Sequence, residues 1–377
     1  MQVLVLATLD TKSQEASYLL DQLKELGVDA SSVDISLRSQ GRTLNGAEKC
    51  LAMAATAERV LADVTNAIKD GVEVVLGIGG GTGGEIIMNV LRALPITYPK
   101  ILVTTLPFDP RVAVAENSII LVPTLADIAG LNTILREALE NTALMAAGLC
   151  KKKRKGELTE IIPSIGITAL GATEGAVNPL VKALAKRGEE STVFHSNGYG
   201  GAAFARFARH GAFKAIVDLT PHELTRLHIA GAHVPMPERF TAGGKYPRVV
   251  LPGAVNFIGL GQIDLIPDHF LMRPHYAHTA LFTHVKVTEE EMQKVATELA
   301  LSMNELSGPA AVIVPMGGFS HHDSPGGAIE DETLREVCLA TLKSKLAPRI
   351  ALKTLDQHLF APKITDTILT TLDDMTA

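Results

Sequence analysis

Residues 77–84 read Gly-Ile-Gly-Gly-Gly-Thr-Gly-Gly, at the end of an apolar run that begins at Val72 and ahead of a helical pattern from Glu85 to Leu94. An apolar strand of this type belongs in the middle of a parallel sheet, covered on both faces. Six glycines in eight positions are more than a tight strand-to-helix turn needs. Glycine lets a backbone adopt positive φ and approach a ligand closely. The helix behind the turn presents free N–H groups to an anion. A phosphate or carboxylate site is therefore expected at Gly79, Gly80, Gly81, Thr82, Gly83 and Gly84. The turn lacks G-x-x-x-x-G-K-[ST], so it is not a Walker loop. Gly79-x-Gly81-x-x-Gly84 does match the dinucleotide fingerprint, but it follows what reads as the third strand. A clean strand-end acid about 20 positions on is missing, Asp109 being the nearest, so a dinucleotide is the minor reading.

The flanking sequence alternates strand and helix. Residues 2–7 and Val28 to Ile35 read as strands. Ala47 to Lys69 reads as a long helix, Lys100 to Thr105 as a strand and Asp127 to Leu149 as a helix. This rhythm predicts a doubly wound α/β domain. A charge run at 151–157 (KKKRKGE) follows and reads as a solvated surface segment or linker. The βα rhythm then restarts. Strands are expected at Ser164 to Leu170, Ser191 to His195, Ala215 to Leu219, Val249 to Leu251 and Ala310 to Pro315, with longer loops between residues 225 and 285. The expected fold is α/β: two Rossmann-like parallel-sheet subdomains, 1–157 and 158–377, with a cleft between them.

Composition narrows the function classes. At 377 residues, with 46% hydrophobic and 20% charged residues, the chain has material for two cores and is not disordered. A net charge of −6 argues against a nucleic-acid partner. Cys50, Cys150 and Cys338 are isolated, which fits a reduced, cytoplasmic protein. No apolar run approaches the roughly 18 residues of a membrane span, and the first residues enter a strand at once, unlike a signal peptide. All 12 histidines lie at or after His195, so any histidine chemistry belongs to the second half.

Further candidates stand at strand ends, where open α/β sheets bind ligands. Thr8, Asp10, Thr11 and Lys12 follow the first strand and suit a nucleotide phosphate or its Mg²⁺. An equally good reading makes Asp10 or Thr11 a helix cap, with Gln14 or Glu15 closing a capping box. Thr104 and Thr105, with Pro107 to Asp109, could floor a base or ribose pocket. In the second half, His195 precedes Ser196, Asn197, Gly198, Tyr199, Gly200 and Gly201, a second strand–Gly loop–helix junction. Asn197, Gly198, Gly200 and Gly201 are expected to hold an anion or carbonyl there, with His195 as a general acid or base or simply bonded to backbone. Ser320, His322 and Asp323 occur together in a glycine-rich loop after an apolar strand and are further catalytic candidates. Their adjacency, and the lack of a G-x-S-x-G elbow, argue against a hydrolase triad. No metal site is expected: adjacent His321 and His322 usually point apart, and Pro274 makes the segment of His275 and His278 a loop.

Several stretches occur in the order of one family: GGGTGGEIIMNVLRALPITYPKILVTT, VPTLADIAGLNTILREALENTA, FHSNGYGG, VDLTPHEL, VLPGAVNF and PMGGFSHHDSPGGAIED. The chain resembles the ATP-binding domain family typified by the N-terminal part of a plant tobamovirus-resistance protein, over about residues 2–373. Its bacterial members are mostly uncharacterised. The resemblance implies a two-subdomain α/β protein that binds ATP and forms dimers. The family's Gly-Thr-x-Asp-Thr-Lys opening stands here as Ala7-Thr8-Leu9-Asp10-Thr11-Lys12, without the glycine. Its glycine loop maps loosely onto Gly79 to Gly84, with the hydroxyl at Thr82. An Arg-x-x-x-His-Asn-Pro segment is matched only loosely by Arg273 to His278, with four residues between Arg and His and without the Asn-Pro, and the Asp-Met before Asn256 is absent.

The leading expectation is a cytoplasmic homodimer or larger homo-oligomer that binds ATP, with Mg²⁺, in the first half. The second half would close the cleft with His195, Ser196 and the 317–323 loop, and a small-molecule substrate there would make the chain an enzyme. Two other readings stand beside it. One is a nucleotide-gated module that binds a protein. The other is an ATP-independent acid/base enzyme for a small carboxylate, using the second-half histidines.

Overall fold

A computed structural model describes residues 1–37, 43–151 and 163–376. The charge run at 151–157 lies outside the described residues except for Lys151. The chain forms two compact units, Met1–Glu160 and Ile161–Ala377. Among the described residues, no helix is long and apolar enough to cross a membrane.

The first unit alternates in order β1 (Val3–Ala7), α1 (Ser13–Glu25), β2 (Ala30–Asp34), α2 (Gly46–Lys69), β3 (Val74–Ile78), α3 (Gly81–Ala93), β4 (Lys100–Thr104), the short α4 (Pro110–Val114), β5 (Ile119–Pro123) and α5 (Thr133–Lys151). All strand pairs are parallel, in the order β2-β1-β3-β4-β5. Successive side chains of a strand face opposite sides of the sheet. Val3 and Val5 therefore pack with Leu19 and Leu23 of α1 and Leu139 of α5. Leu4 and Leu6 pack with Val60 and Val64 of α2 and Ile86 of α3. The long helix α2 opens with a capping box, in which Asn45 accepts from Glu48 N and the Glu48 side chain accepts from Asn45 N.

The second unit contains β6 (Ser164–Ala169), α6 (Glu174–Lys186), β7 (Ser191–His195), α7 (Gly200–Arg209), β8 (Phe213–Asp218), α8 (Glu223–His228), β9 (Arg248–Val250), β10 (Phe257–Leu260), α9 (Asp268–Leu271), β11 (His275–Thr279), β12 (Phe282–Lys286), α10 (Glu289–Glu305), β13 (Ala310–Pro315), α11 (Glu332–Lys345), β14 (Ala351–Leu355) and α12 (Pro362–Thr376). Its parallel sheet runs β14-β13-β9-β8-β6-β7. Helices α6 and α12 cover one face through Leu180, Leu184, Ile364 and Ile368. The other face carries an aromatic cluster of Phe194, Phe204 and Phe213 under α7, and the α10–α11 layer. Numbered from its own first strand, this sheet has the order 2-1-3-4-5-6, and the first unit has 2-1-3-4-5. Both units therefore switch winding direction between their first and third strands, the point where such sheets bind ligands.

Two expectations change here. Residues 225–285 are not simply loops, because β10, β12 and β11 form a separate antiparallel sheet. Helix α3 starts at Gly81 rather than Glu85, so four residues of the glycine run form its first turn. Gly77 explains why α3 can lie so close to β3. A Cβ at Gly77 would stand 2.3 Å from Ile87 Cγ2. Gly77→Ala should therefore lower stability by about 1–3 kcal/mol through overpacking. Urea unfolding reads this, and an unchanged midpoint would mean that α3 can move away at no cost.

Candidate functional site

The switch point of the first unit is built by the turns after β1 and β3. Gly79 and Gly80 form the bend, and α3 opens with no side-chain cap. The first N–H groups of a helix lack intrahelical partners. At this end Gly81 is exposed and Thr82 half-buried. The bend is tight: a Cβ at Gly79 would meet Gly84 N at 2.5 Å. Thr8 borders it, with Cγ2 3.4 Å from the Cβ position of Gly83. Thr105 Oγ1 stands 3.6 Å from the Cβ position of Gly80. The structure thus brings Thr8, Gly79 to Gly84 and Thr105 together.

The loop after β1 is not a helix cap. Lys12 occupies the N-cap position of α1 and makes no side-chain cap bond. Glu15 is buried and accepts from Gly130 N at 2.8 Å instead of closing a capping box. Leu9 N donates to Asp34 Oδ1 (3.1 Å) and Asp10 N to Ser36 Oγ (3.2 Å), which fixes the loop onto the end of β2. Thr8 and Thr11 share a hydroxyl contact of 3.0 Å. The Asp10 side chain is exposed at this edge, and that of Lys12 is half-buried.

Beside the glycine turn opens a cavity of about 700 Å³, within the size range of small-molecule sites. Gly81 and Thr82, Met53 and Met88, and Phe108 and Asp109 contribute to its wall. Thr8 to Lys12 do not line it. Asp109 also caps α4 by accepting from Arg111 N (2.9 Å), and its bonds to Arg111 hold its carboxyl below the usual range. In the loop leading to this wall, Leu106 adopts φ 51°, with its N–H donated to Thr104 Oγ1 at 3.3 Å. A non-glycine residue in this left-handed region costs energy and is found most often at functional sites.

The equivalent junction of the second unit is closed by its own residues. Asn197 Oδ1 accepts from Tyr199 N (3.1 Å) and Gly200 N (3.2 Å), and Gly201 N donates to Glu223 Oε1 (2.9 Å). The amides expected to hold a ligand are thus engaged internally. The glycines there serve packing. A Cβ at Gly198 would meet Ala232 O at 2.3 Å, at Gly200 His195 O at 2.1 Å, and at Gly201 Glu223 Oε1 at 2.6 Å. Behind them Arg239 is fully buried. Its Nη1 and Nη2 donate to the two oxygens of Asp218 (2.7 and 3.0 Å), and its Nε donates to Glu223 (2.8 Å). Nη2 also reaches Ser196 Oγ at 3.4 Å. Thr168 Oγ1 donates to Asp218 Oδ1 at 2.7 Å. This ion network fills the second switch point, and sequence inspection missed it, because bonded members lie up to 50 positions apart. His195 ends the edge strand β7 and is exposed.

Ser320, His322 and Asp323 do not form a relay. Asp323 is spent on its own loop, accepting from Phe319 N (2.8 Å), Asp331 N (3.1 Å) and Arg335 Nη1 (2.7 Å). Burial pushes its carboxyl up to about 6, against the pull of these donors. Ser320 is fully buried and its Oγ has no partner. His322 instead packs on Tyr276, ring centroids 4.2 Å apart, and meets His284 at 5.3 Å. Phe257 stacks on His284 at 4.2 Å and packs at a tilt against His222 at 4.7 Å. Burial first, then neighbouring histidines, pushes His284 down to about 3 and His322 down to about 4. Burial also drives His222 well down, and its Nδ1 bonds Ala254 O at 2.7 Å. Sequence inspection considered His278 with His275, and His322 with His321 and beside Ser320 and Asp323, but it did not join His278 to His322 and did not single out His284.

Comparison with known proteins covers both units. The uncharacterised protein family UPF0261 matches through its N-terminal domain at residues 42–155 and through its C-terminal domain at 162–376. A UPF0261 protein of Clostridium tetani is 28% identical over 361 residues, covering 88% of this chain and 89% of its own. A UPF0261 protein of Rhizobium meliloti is 28% identical over 398 residues, 99% of each chain. The ToMV resistance protein Tm-1 of Solanum lycopersicum is 28% identical over 308 residues, which is 78% of this chain but 41% of that protein. With both of its domains matched in order, this chain belongs to the uncharacterised protein family UPF0261.

Proposed function

We propose that the N-terminal unit binds ATP or a closely similar nucleoside polyphosphate at the turn after β3. One observation carries this reading: two sheets of the same winding order treat their switch points differently. The second unit plugs its own with Arg239, Asp218 and Glu223, and occupies its helix amides with Asn197. The first leaves an uncapped helix N-terminus beside a cavity of about 700 Å³. Polyphosphate oxygens suit the N–H groups of Gly81, Thr82 and Gly83, where the helix dipole also favours negative charge. The nucleoside suits the cavity, whose Met53, Met88 and Phe108 offer apolar and aromatic surface. Thr105 and Thr8 flank the turn and offer hydroxyls. Mg²⁺ bound with the phosphates would take oxygen ligands. The carboxylates at hand are Glu85 and Asp109, which line the cavity, and Asp10 at the neighbouring loop.

Calorimetry of the full chain tests this. ATP should bind with one site per chain, and adenosine should bind at least about tenfold more weakly. That follows because each charge-assisted phosphate hydrogen bond is worth about 1.5–3 kcal/mol and about 1.4 kcal/mol is a factor of ten. No heat of binding with millimolar ATP sinks the proposal. Equal binding of adenosine would place the contacts in the cavity alone and remove the phosphate role of the turn.

A further inference from the structure

We propose that His278, His284 and His322 form a binding site for one divalent first-row transition-metal ion of the zinc or cobalt type. The three residues come from separate parts of the second unit: His278 from β11, His284 from β12 and His322 from the loop after β13. One ring nitrogen from each lies within 4.8 Å of the others. The backbone is shaped for this. Along the β11–β12 pair the register runs Tyr276↔His284, Ala277↔Thr283 and then Thr279↔Phe282. His278 is therefore the extra residue of a β-bulge. Bulges re-aim a side chain, and they are over-represented beside functional sites. Here the bulge lays the His278 ring parallel to His284, with centroids 4.9 Å apart and planes 13° apart.

Ring packing alone leaves two polar atoms unpaid for. His284 Nδ1 and His322 Nε2 are both buried and have no hydrogen-bond partner. His322 is only 7% exposed. An unsatisfied buried nitrogen costs about 1–3 kcal/mol, and a single cation between the rings would satisfy both atoms together. Asp323 cannot take this role, because its oxygens already accept from Phe319, Asp331 and Arg335. Tyr276 and Phe257 pack on the outer faces of His322 and His284 and hold the rings in place.

The donor set selects the ion. Imidazole nitrogen suits Zn²⁺, Co²⁺, Ni²⁺ and Cu²⁺, whereas Mg²⁺ and Ca²⁺ require oxygen. Metal–nitrogen bonds of about 2.0–2.1 Å put tetrahedral ligand atoms roughly 3.4 Å apart. Loading would draw the rings together by about 1 Å, and His278 is exposed and free to supply that movement. Three histidines leave a fourth position for water or a substrate oxygen, the pattern of catalytic rather than structural zinc sites.

The test uses the full chain, stripped of metal and titrated with Co²⁺. One equivalent should bind and give the visible bands of a low-coordinate, nitrogen-ligated cobalt centre, and Zn²⁺ should displace it. His278→Ala should weaken binding by about 100-fold or more, since even loss of an outer-shell partner costs 10–100-fold. His322→Ala should behave alike, and His321→Ala, at the exposed neighbouring residue, should bind like the wild type. Should His322→Ala fail to fold, His278→Ala still decides, because its side chain is exposed and its loss leaves no cavity. Absence of saturable binding at one equivalent overturns the proposal. So does undiminished binding by His278→Ala.

Discussion

Arg239→Met should destabilise the second unit by about 3–5 kcal/mol, the usual cost of removing one partner from a buried ion network. The guanidinium is fully buried, and it supplies two bonds to Asp218 and one to Glu223. Methionine is close to arginine in length, so lost packing is a minor part of the effect. What remains is two buried carboxylates without the cation that paired them. Asp218→Asn should cost less, because the amide oxygen in place of Oδ1 still accepts from Thr168 and Arg239 Nη2, and only the bond from Arg239 Nη1 is lost. The two variants also differ in acid. Burial on its own would raise the Asp218 carboxyl, but the charge and hydrogen bonds of Arg239 prevail and hold it below its ordinary value. A carboxyl depressed in the folded state adds stability above its unfolded pKa of about 3.9. That contribution is lost as pH falls through the folded value. Wild-type stability should therefore fall as pH drops below about 4, and part of that fall should disappear in Asp218→Asn. Urea midpoints across pH measure both effects. A loss under about 1 kcal/mol for Arg239→Met would mean that the network adds nothing to stability, as some buried ion pairs do not.

The contrast between the two glycine-rich junctions shows what one segment of sequence can and cannot reveal. Residues 77–84 and 195–201 both follow a strand, both carry glycine, and both open a helix. Read locally, each is an anion site. Whether the amides are available depends on residues elsewhere in the chain. Glu223 and Arg239 fold back on the second junction from 22 or more positions away, and nothing comparable covers the turn after β3 among the described residues. The parallel sheets were legible because buried strands such as Val74–Ile78 and Ala310–Pro315 are continuous apolar runs. The antiparallel sheet of β10, β12 and β11 was not. Its strands are four or five residues long and carry His275, His278 and His284 where apolar alternation would be sought. For the same reason the histidine cluster could not be read from spacing. Its members meet only through the β11–β12 register and the return of the chain after β13.

Gly81→Asp should weaken nucleotide binding by about 100-fold and leave the fold intact, which separates the two roles that glycine plays around residue 80. Gly79 is needed for packing: a Cβ there would strike the Gly84 backbone at 2.5 Å. Gly81 is different. It is the first residue of α3, it is exposed, and a Cβ there meets nothing within 4 Å. An aspartate at a helix N-terminus is itself favourable by about 0.3–1 kcal/mol. The melting temperature should therefore stay level or rise. The same carboxylate competes with phosphate for the helix N–H groups and repels it at close range. Loss of one or two charge-assisted bonds, worth about 1.5–3 kcal/mol each, corresponds to a Kd raised by about 100-fold. Gly81→Ala, which adds bulk without charge, should bind ATP nearly as the wild type does. Calorimetry on the three proteins decides the matter. If Gly81→Asp binds ATP as tightly as the wild type, the phosphates do not sit on α3. If Gly81→Ala loses binding as fully, the turn needs a bare backbone at that position, and steric approach rather than charge governs the site.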